Sequence, residues 1–136
     1  MNSNKPILLV EDDKIDVMTV QRAFKELKIT NHLEVTGNGE EALTYLSKID
    51  NELPCLILLD INMPKMNGIE FLRIIKKVDW LKVLPVVVLT SSKEEQDKLG
   101  SFSLGISGYM LKPADYKKFI DVVRLIDIYW TASEKP

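Results

Sequence analysis

The sequence predicts an α/β fold in which five parallel strands alternate with helices. Five short runs of apolar and β-branched residues recur along the chain, and longer stretches with helical spacing of apolar residues separate them. Such alternation is typical of a parallel sheet with right-handed crossover connections. A length of 136 residues suits one domain, and a hydrophobic content of 46% is enough for a core.

The strand-like runs differ in how apolar they are. The first, third and fourth are almost wholly apolar, as central strands covered on both faces are, whereas the second is shorter and mixed, which fits an edge strand. The runs are Ile7–Val10, Leu33–Thr36, Cys55–Leu59, Val86–Leu89 and Gly108–Leu111.

The stretches between and after these runs each place apolar residues on one helical face. The fourth, Lys93 to Leu104, is the weakest, because Gly100 interrupts it. Turn formers at Asn38-Gly39, Asn67-Gly68 and Pro113 mark boundaries. The other faces are Val17, Val20, Phe24 and Leu27; Ala42, Leu43, Leu46 and Ile49; Phe71, Leu72, Ile75 and Val78; and, between Asp115 and about Ala132, Tyr116, Phe119, Ile120, Val123 and Ile126.

Composition narrows the class of protein. We expect one domain over residues 5–132, with loose termini at 1–4 and 133–136. Cys55 is the one cysteine, no run approaches the roughly 18 apolar residues of a membrane span, and the N-terminus has no secretion signal. These features predict a cytoplasmic protein without a membrane segment. A net charge of −2 argues against direct DNA binding, which needs a basic surface.

Polar residues follow four of the predicted strands. Because the carboxyl ends of parallel strands meet at one edge of the sheet, these residues are expected to share a rim. They are Glu11-Asp12-Asp13, Asp60-Ile61-Asn62, Thr90-Ser91-Ser92 and Lys112-Pro113.

The acids of this rim favour a cation. Adjacent carboxylates at the end of a buried strand repel each other, and oxygen ligands without nearby His or Cys suit Mg²⁺ that keeps several waters. Helix capping is the alternative for Glu11-Asp12-Asp13, and Asp13 is expected to cap the first helix in either case. Capping does not account for Asp60, which follows a different strand.

A carboxylate beside Mg²⁺ and a lysine can attack a phosphoryl group and form an aspartyl-phosphate. Lys112 would add a positive charge beside the transferring oxygens, and the Thr90 hydroxyl could donate a hydrogen bond to one of them. Taken alone, Thr90 also fits a helix cap, and Lys112 also fits an exposed charge before a proline turn.

At these positions the chain resembles the receiver domain of bacterial two-component response regulators. The motifs occur in the order and spacing of that family over essentially the whole chain. The resemblance implies a flavodoxin-like (βα)₅ fold with strand order 2-1-3-4-5, an order known for such sheets. The matching segments are Ile7 to Asp13, Leu58 to Gly68, Leu84 to Ser91 and Gly105 to Pro113.

The resemblance also implies a role for each motif residue. Asp60 is the phosphoacceptor. Glu11 and Asp12 are the acid pair for Mg²⁺, with Asp12 the direct ligand, and Asn62 offers its backbone carbonyl. The remaining assignments are Thr90 and Tyr109 as the switch pair and Lys112 as the phosphate-contacting lysine, before a cis peptide to Pro113.

The C-terminal segment carries a narrower resemblance. Phe119 to Val123, continuing through Ile128-Tyr129-Trp130, is similar to the small regulators that partner phytochrome-type and related sensor histidine kinases. We therefore expect a phosphorelay protein that catalyses only its own phosphorylation and dephosphorylation.

Three other classes of function each fit part of the pattern. A Mg²⁺-dependent aspartyl-phosphate phosphatase needs a second acid two residues after its nucleophile, where this chain has Asn62. A flavin carrier needs a phosphate loop after the first strand, where Glu11-Asp12-Asp13 would repel phosphate. A phosphate-independent binding module does not explain why Asp12, Asp60, Thr90 and Lys112 occur together.

The last predicted helix suggests a second apolar surface. Val122, Leu125 and Tyr129 recur at spacings of three and four on a face expected to point away from the core. An exposed apolar line of this kind commonly marks a contact with another chain. We expect a homodimer through the fourth helix, fifth strand and fifth helix; the alternative is that Tyr129 and Trp130 fold back at a loose end.

Overall fold

The computed structural model describes residues 4–48, 50, 52–61, 66–90, 108–111 and 116–133, and it describes residues 90, 108–111 and 130–133 by their backbone alone. The predicted fourth helix, Lys93 to Leu104, lies outside these ranges, so the predicted fifth helix is α4 here. In chain order the elements are β1 Ile7–Val10, α1 Lys14–Glu26, β2 Leu33–Thr36, α2 Gly39–Ser47, β3 Leu56–Asp60, α3 Gly68–Ile75, β4 Val86–Thr90, β5 Gly108–Leu111 and α4 Tyr116–Ser133.

The strands form one parallel sheet in the order β2-β1-β3-β4-β5, which confirms the predicted fold class. β1 lies between β2 and β3, and its Ile7 is level with both Leu33 and Leu56. The sheet order reverses direction between β1 and β3, and the carboxyl ends of these two strands flank the point where open α/β sheets bind ligands.

Helices cover both faces of the sheet. Alternate residues of the central strands point to opposite sides, so each side has its own buried cluster. On one side Leu8, Ile57 and Val88 pack with α2 and α3. On the other side Ile7, Leu58 and Val87 pack with α1 and α4. The central strands are therefore buried on both faces, as their apolar sequences predict.

Side-chain caps fix the starts of the first three helices. Asp13 accepts hydrogen bonds from the backbone N–H groups of Ile15 and Asp16, at 2.8 and 3.1 Å, which confirms the predicted cap of α1. Asn38 caps α2 in the same way, and Asn67 forms a reciprocal capping box with Glu70 at the start of α3. Within the described residues, no helix is long and apolar enough to cross a membrane.

Several element ends differ from the predicted ones, and β4 is one of these elements because it continues through Thr90, which is level with Leu111 of β5. β3 begins at Leu56 and includes Asp60, because Asp60 still pairs with Leu89 of β4. Cys55 precedes the strand and is half-buried. α3 ends at Ile75, before Val78, because the hydrogen bonds beyond it span three residues; the predicted α2 residue Ile49 lies outside the described ranges.

Candidate functional site

The acids predicted at two strand ends come together in space. Glu11 directly follows β1, whose Val10 is level with Leu59 of β3, and Asp60 is the next residue of β3. One carboxylate oxygen from each of Glu11, Asp12 and Asp60 lies within 4.8 Å of the other two. We call these three side chains the acidic cluster. It lies at the carboxyl edge of the sheet, as the sequence predicts.

Asp13 is adjacent in sequence but serves a different purpose. Its carboxylate caps α1, while its backbone N–H points back and donates to Glu11 Oε2 at 3.4 Å. The backbone N–H of Glu11 donates to the carbonyl of Thr36 at 2.9 Å, which extends the β1–β2 pairing one residue past the strand. The chain is thus held on both sides of Asp12, the member of the cluster that is exposed.

Burial and ligand chemistry make the acidic cluster suited to a divalent cation. Glu11 and Asp60 are 2% and 8% exposed, whereas Asp12 is open to solvent. Buried carboxylates within a few ångströms of each other raise one another's free energy in the charged form, and a cation between them removes that cost. All the ligand atoms are oxygens, which favour hard ions such as Mg²⁺ or Mn²⁺, and the open side leaves room for bound water.

Tight backbone packing positions the segment after Asp60. The backbone N–H of Gly68 donates to the Ile61 carbonyl at 3.2 Å, which brings the start of α3 against the end of β3. A Cβ atom on Gly68 would lie 2.7 Å from the Ile61 Cα and 3.0 Å from the Asp60 carbonyl oxygen. Only glycine allows the backbone at the start of α3 to come this close to the end of β3. The Asn67-Gly68 pair therefore both ends the loop and positions α3 against Asp60 and Ile61.

The structure describes the predicted switch pair, Thr90 and Tyr109, by its backbone alone. Thr90 is the last residue of β4 and is level with Leu111 of β5, while Tyr109 of β5 is level with Val88. The two residues therefore lie on neighbouring strands, two positions apart. Lys112 directly follows Leu111, but Lys112, the predicted cis peptide to Pro113, and Asn62 lie outside the described residues.

The predicted surface of α4 is partly as expected. Leu125 and Tyr129 are each 59% exposed, and Ile128, which was not among the predicted surface residues, is 56% exposed. Val122 differs from the prediction, because it is half-buried and packs against the core that α4 shares with α1. The second apolar line therefore runs through Leu125, Ile128 and Tyr129.

A further exposed apolar pair lies next to the acidic cluster. Ile15 and Met18, in the first turns of α1, are both largely exposed. They were not predicted as functional residues, because they fall outside the apolar face that begins at Val17. Their spacing of three and their position directly after the three acids were the available signal.

Known proteins with the same sequence pattern and fold bear on this site. Residues 7–124 match the family model described as the response regulator receiver domain. The chain is 38% identical over 133 residues to response regulator Rcp1 of Synechocystis, a match that covers 95% of this chain and 90% of Rcp1.

Two solved structures are similar throughout. The phosphorylated cyanobacterial phytochrome response regulator RcpA superposes with a TM-score of 0.87 at 34% identity, covering 98% of each chain. The Mn²⁺-bound form of response regulator Rcp1 gives a TM-score of 0.84 at 37% identity, covering 96% of this chain and 97% of that one. Together with the sheet order and the acidic cluster, these matches show that the chain belongs to the response regulator receiver domain family.

Proposed function

We propose that this chain is a phosphorelay response regulator that accepts a phosphoryl group on Asp60 from a histidine kinase. The observation that carries the proposal is the position of the Asp60 carboxylate, which is almost buried and within 4.8 Å of carboxylate oxygens of Glu11 and Asp12. The family match and the similarity to a phosphorylated regulator support it.

The chemical step is transfer from a phosphohistidine to a carboxylate. An Asp60 oxygen attacks the phosphorus atom, a P–O bond forms, and the P–N bond breaks with its electron pair returning to the imidazole. The β3–β4 pairing at Asp60 and the close packing of Gly68 on Ile61 hold the nucleophile in place. Lys112 is the residue that we assign to the phosphoryl oxygens.

Mg²⁺ is the cation that we assign to the acidic cluster. Asp12 and Asp60 are its direct ligands, Glu11 supports them, and the backbone carbonyl of Asn62 completes the protein's share. When bound, Mg²⁺ neutralises charge on the transferring oxygens. The oxygen-only ligand set and the similarity to a Mn²⁺-bound regulator support a divalent ion here.

The response to phosphorylation is assigned to Thr90 and Tyr109. The Thr90 hydroxyl hydrogen-bonds a phosphoryl oxygen, and Tyr109 takes up the space that Thr90 leaves, which biases a two-state surface. Thr90 and Tyr109 lie on the adjacent strands β4 and β5, and β4 also pairs with β3, the strand that ends in Asp60. These positions support the coupling. Thr90→Ala is expected to take up phosphate without the change in partner binding.

The partner that we assign is a sensor histidine kinase of the phytochrome-associated or a related type. We assign the protein to the cytoplasm. It acts there without contacting DNA directly. The similarity to the phytochrome response regulator RcpA supports the phytochrome-associated type of kinase. The domain limits of 5–132 stay a prediction.

The test is phosphorylation of purified variants by acetyl phosphate and by a candidate kinase with labelled ATP. Asp60→Asn should show no labelling with either donor, because the nucleophile is gone while the shape is kept. Asp12→Ala should weaken Mg²⁺ binding at least about tenfold, because even the loss of a group that only orients a metal ligand has an effect of that size. Asp13→Asn is the matched control, since Asn also caps helices and Asp13 is not in the acidic cluster.

Labelled phosphate on Asp60→Asn would place the acceptor elsewhere in the chain. Full Mg²⁺ affinity in Asp12→Ala, or an equal loss of affinity in Asp13→Asn, would contradict the assigned ligands.

A further inference from the structure

The segment that joins α3 to β4 is an ordered series of tight turns. Backbone N–H groups donate to carbonyls three residues earlier, in the pairs Lys77 to Ile74, Val78 to Ile75, Leu81 to Val78 and Leu84 to Leu81, at 3.0 to 3.2 Å. The backbone N–H of Lys82 donates instead to the Val78 carbonyl, four residues earlier, at 2.8 Å. Burial nevertheless repeats every three residues, as it does where turns have about three residues, so side chains three apart lie on the same side of the segment. Residues 74–84 therefore have three distinct sides.

Two of these sides are already occupied. Val78, Leu81 and Leu84 pack into the core beneath α2 and α3. On the second side, Lys76 Nζ donates to the Lys82 carbonyl at 3.2 Å, and Lys82 Nζ lies 3.3 Å from an Asp79 carboxylate oxygen. These contacts neutralise one charge of the segment, that of Lys82, and leave the rest of its positive charge unbalanced.

The third side is apolar except for one lysine, and it faces solvent. It consists of Ile74, Lys77, Trp80 and Val83, which we call the exposed stripe. Trp80 is 51% exposed and Val83 is 73% exposed, on a backbone that hydrogen bonds between turns hold in place. A large aromatic side chain held on a rigid support is the kind of group that dominates protein–protein contacts, because little conformational entropy is lost when it is covered.

The charge of this region indicates what would cover the exposed stripe. Residues 73–83 have a balance of +3, in a chain whose net charge is −2. Lys77 lies within the stripe itself, so a partner that covers Trp80 also covers a cation. A partner with acidic side chains beside its apolar ones is complementary to that arrangement. The charged residues are Arg73, Lys76, Lys77, Lys82 and, with the opposite sign, Asp79.

Size and position limit the occupant further. A stripe of four side chains is much smaller than the roughly 800 Å² per partner that stable association of two folded chains requires, which favours a short segment over a second copy of this chain. The turns lead into the amino end of β4, whereas Asp60 lies at the carboxyl end of the neighbouring parallel strand β3. The exposed stripe is therefore at the far end of the sheet from the acidic cluster.

From these observations we infer that the exposed stripe docks a short acidic segment of a partner protein, which inserts apolar side chains beside Trp80 and pairs an acid with Lys77. Docking there does not depend on the phosphorylation of Asp60, because the two surfaces lie at opposite ends of the sheet.

A random-peptide display library selected against the full-length protein tests this inference even while the partner is unidentified. Selected peptides should be rich in Asp and Glu next to aromatic or aliphatic residues. A synthetic, fluorescently labelled copy of the most frequent peptide then allows affinities to be measured by anisotropy. Trp80→Ser should weaken binding at least about tenfold, as loss of a central aromatic contact does. Lys77→Glu should weaken it less in high salt than in low salt.

Ile15→Ser is the matched control, since it also removes an exposed apolar side chain but lies on α1. It should leave the affinity unchanged, as should phosphorylation by acetyl phosphate. If Trp80→Ser does not fold by circular dichroism, Val83→Ser and Lys77→Glu decide the matter, since both residues are exposed.

Four results would overturn the inference. The first is that the selected peptides lack acidic residues, and the second is that Trp80→Ser, Val83→Ser and Lys77→Glu all leave the peptide affinity unaltered. The third is that the protein self-associates and Trp80→Ser abolishes this self-association. The fourth is that the protein binds phosphatidylserine vesicles more tightly than the peptides, in a way that depends on Trp80. The last result would assign the exposed stripe to a membrane surface.

Discussion

Gly68 shows how a single residue shapes the region around Asp60. A Cβ atom at this position would lie 2.7 Å from the Cα of Ile61, which is backbone and cannot move aside cheaply. We expect Gly68→Ala to lower the free energy of unfolding by about 1–3 kcal/mol, the range for an overpacked site, as measured by urea denaturation.

Gly37→Ala provides the comparison for this prediction. Its nearest neighbour would be Glu41 Oε2 at 3.3 Å, the far end of a flexible side chain. The expected change in unfolding free energy is within about 0.5 kcal/mol, as for most surface substitutions. Equal losses in the two variants would show that the contact with Ile61 is not the cause.

At the level of residues, the sequence predicts a role when that role follows from a position at the end of a strand. It does not predict a role that depends on two segments of backbone packing closely together. The convergence of Glu11, Asp12 and Asp60 could be predicted, because the carboxyl ends of parallel strands share an edge. The contact of Gly68 with Ile61 could not, since Asn67-Gly68 signals only a turn. The exposure of Ile15 likewise depends on which residues of α1 the sheet covers.

The first turns of α1 are the element on which we expect the kinase to dock. Ile15 and Met18 are exposed on the helix that follows the acidic cluster, so a donor histidine that reaches Asp60 must come close to them. Replacing both residues with Asp should slow transfer from the phosphorylated kinase by about tenfold or more. Labelling by acetyl phosphate should be unchanged, because a small donor makes no contact with α1.

Leu125→Asp is the control for this pair, since it places the same charge on an exposed apolar position of a different helix. Equal slowing with acetyl phosphate and with the kinase would mean that the α1 substitutions disturb the acidic cluster instead of docking.

Tyr116 joins α4 to α1 and should make this contact sensitive to alkaline pH. Its hydroxyl donates to Glu26 Oε1 at 3.3 Å, and the guanidinium carbon of Arg22 lies 4.0 Å from the ring centroid. Desolvation, followed by the negative charge of Glu26, raises the pKa of Tyr116 above its usual value, with Arg22 opposing. Because the pKa is higher in the folded than in the unfolded state, the protonated hydroxyl of Tyr116 stabilises the folded protein.

The stabilising effect of the Tyr116 proton is complete below the ordinary tyrosine pKa of about 10 and is lost as pH rises through the higher folded value. Thermal melts between about pH 8 and pH 11 should therefore show wild type losing stability relative to Tyr116→Phe at the alkaline end. Parallel curves for the two proteins would contradict a raised pKa.

At the level of elements, periodicity predicts which segments are strands and helices better than where they end. The spacing of Ile75 and Val78 fits both an α-helix and a series of three-residue turns, so the end of α3 could not be predicted from it. The same ambiguity hid the exposed stripe, since its four positions, three residues apart from 74 to 83, stay on one side only with about three residues per turn. β3 continues through Asp60 because of pairing with β4, which is a tertiary property.

The whole molecule divides its surface between three regions that the sheet keeps apart. The acidic cluster lies at the carboxyl edge of the sheet, and the exposed stripe follows α3 at the opposite edge. The apolar line of α4 lies on the solvent side of that helix, away from the core that α4 shares with α1. Because these surfaces lie apart, we expect one small domain to be able to receive a phosphoryl group and to contact more than one partner. Each surface can then be changed without changing the others.

The apolar line of α4 is expected to mediate a homodimer that phosphorylation strengthens. Leu125, Ile128 and Tyr129 are more than half exposed, and Tyr109, the proposed switch residue, lies on β5, immediately before α4 in the described chain. Leu125→Asp combined with Tyr129→Asp should sediment as a monomer at concentrations where the phosphorylated wild type is a dimer, because two charges would be buried without partners. Uptake of phosphate from acetyl phosphate should remain, since Asp60 and α4 are at different parts of the sheet. Trp80→Ser should still dimerise, which distinguishes this surface from the exposed stripe. If the wild type sediments as a monomer both with and without phosphate, the apolar line of α4 serves a different partner. If the double Asp variant then still docks the kinase, the kinase is not that partner.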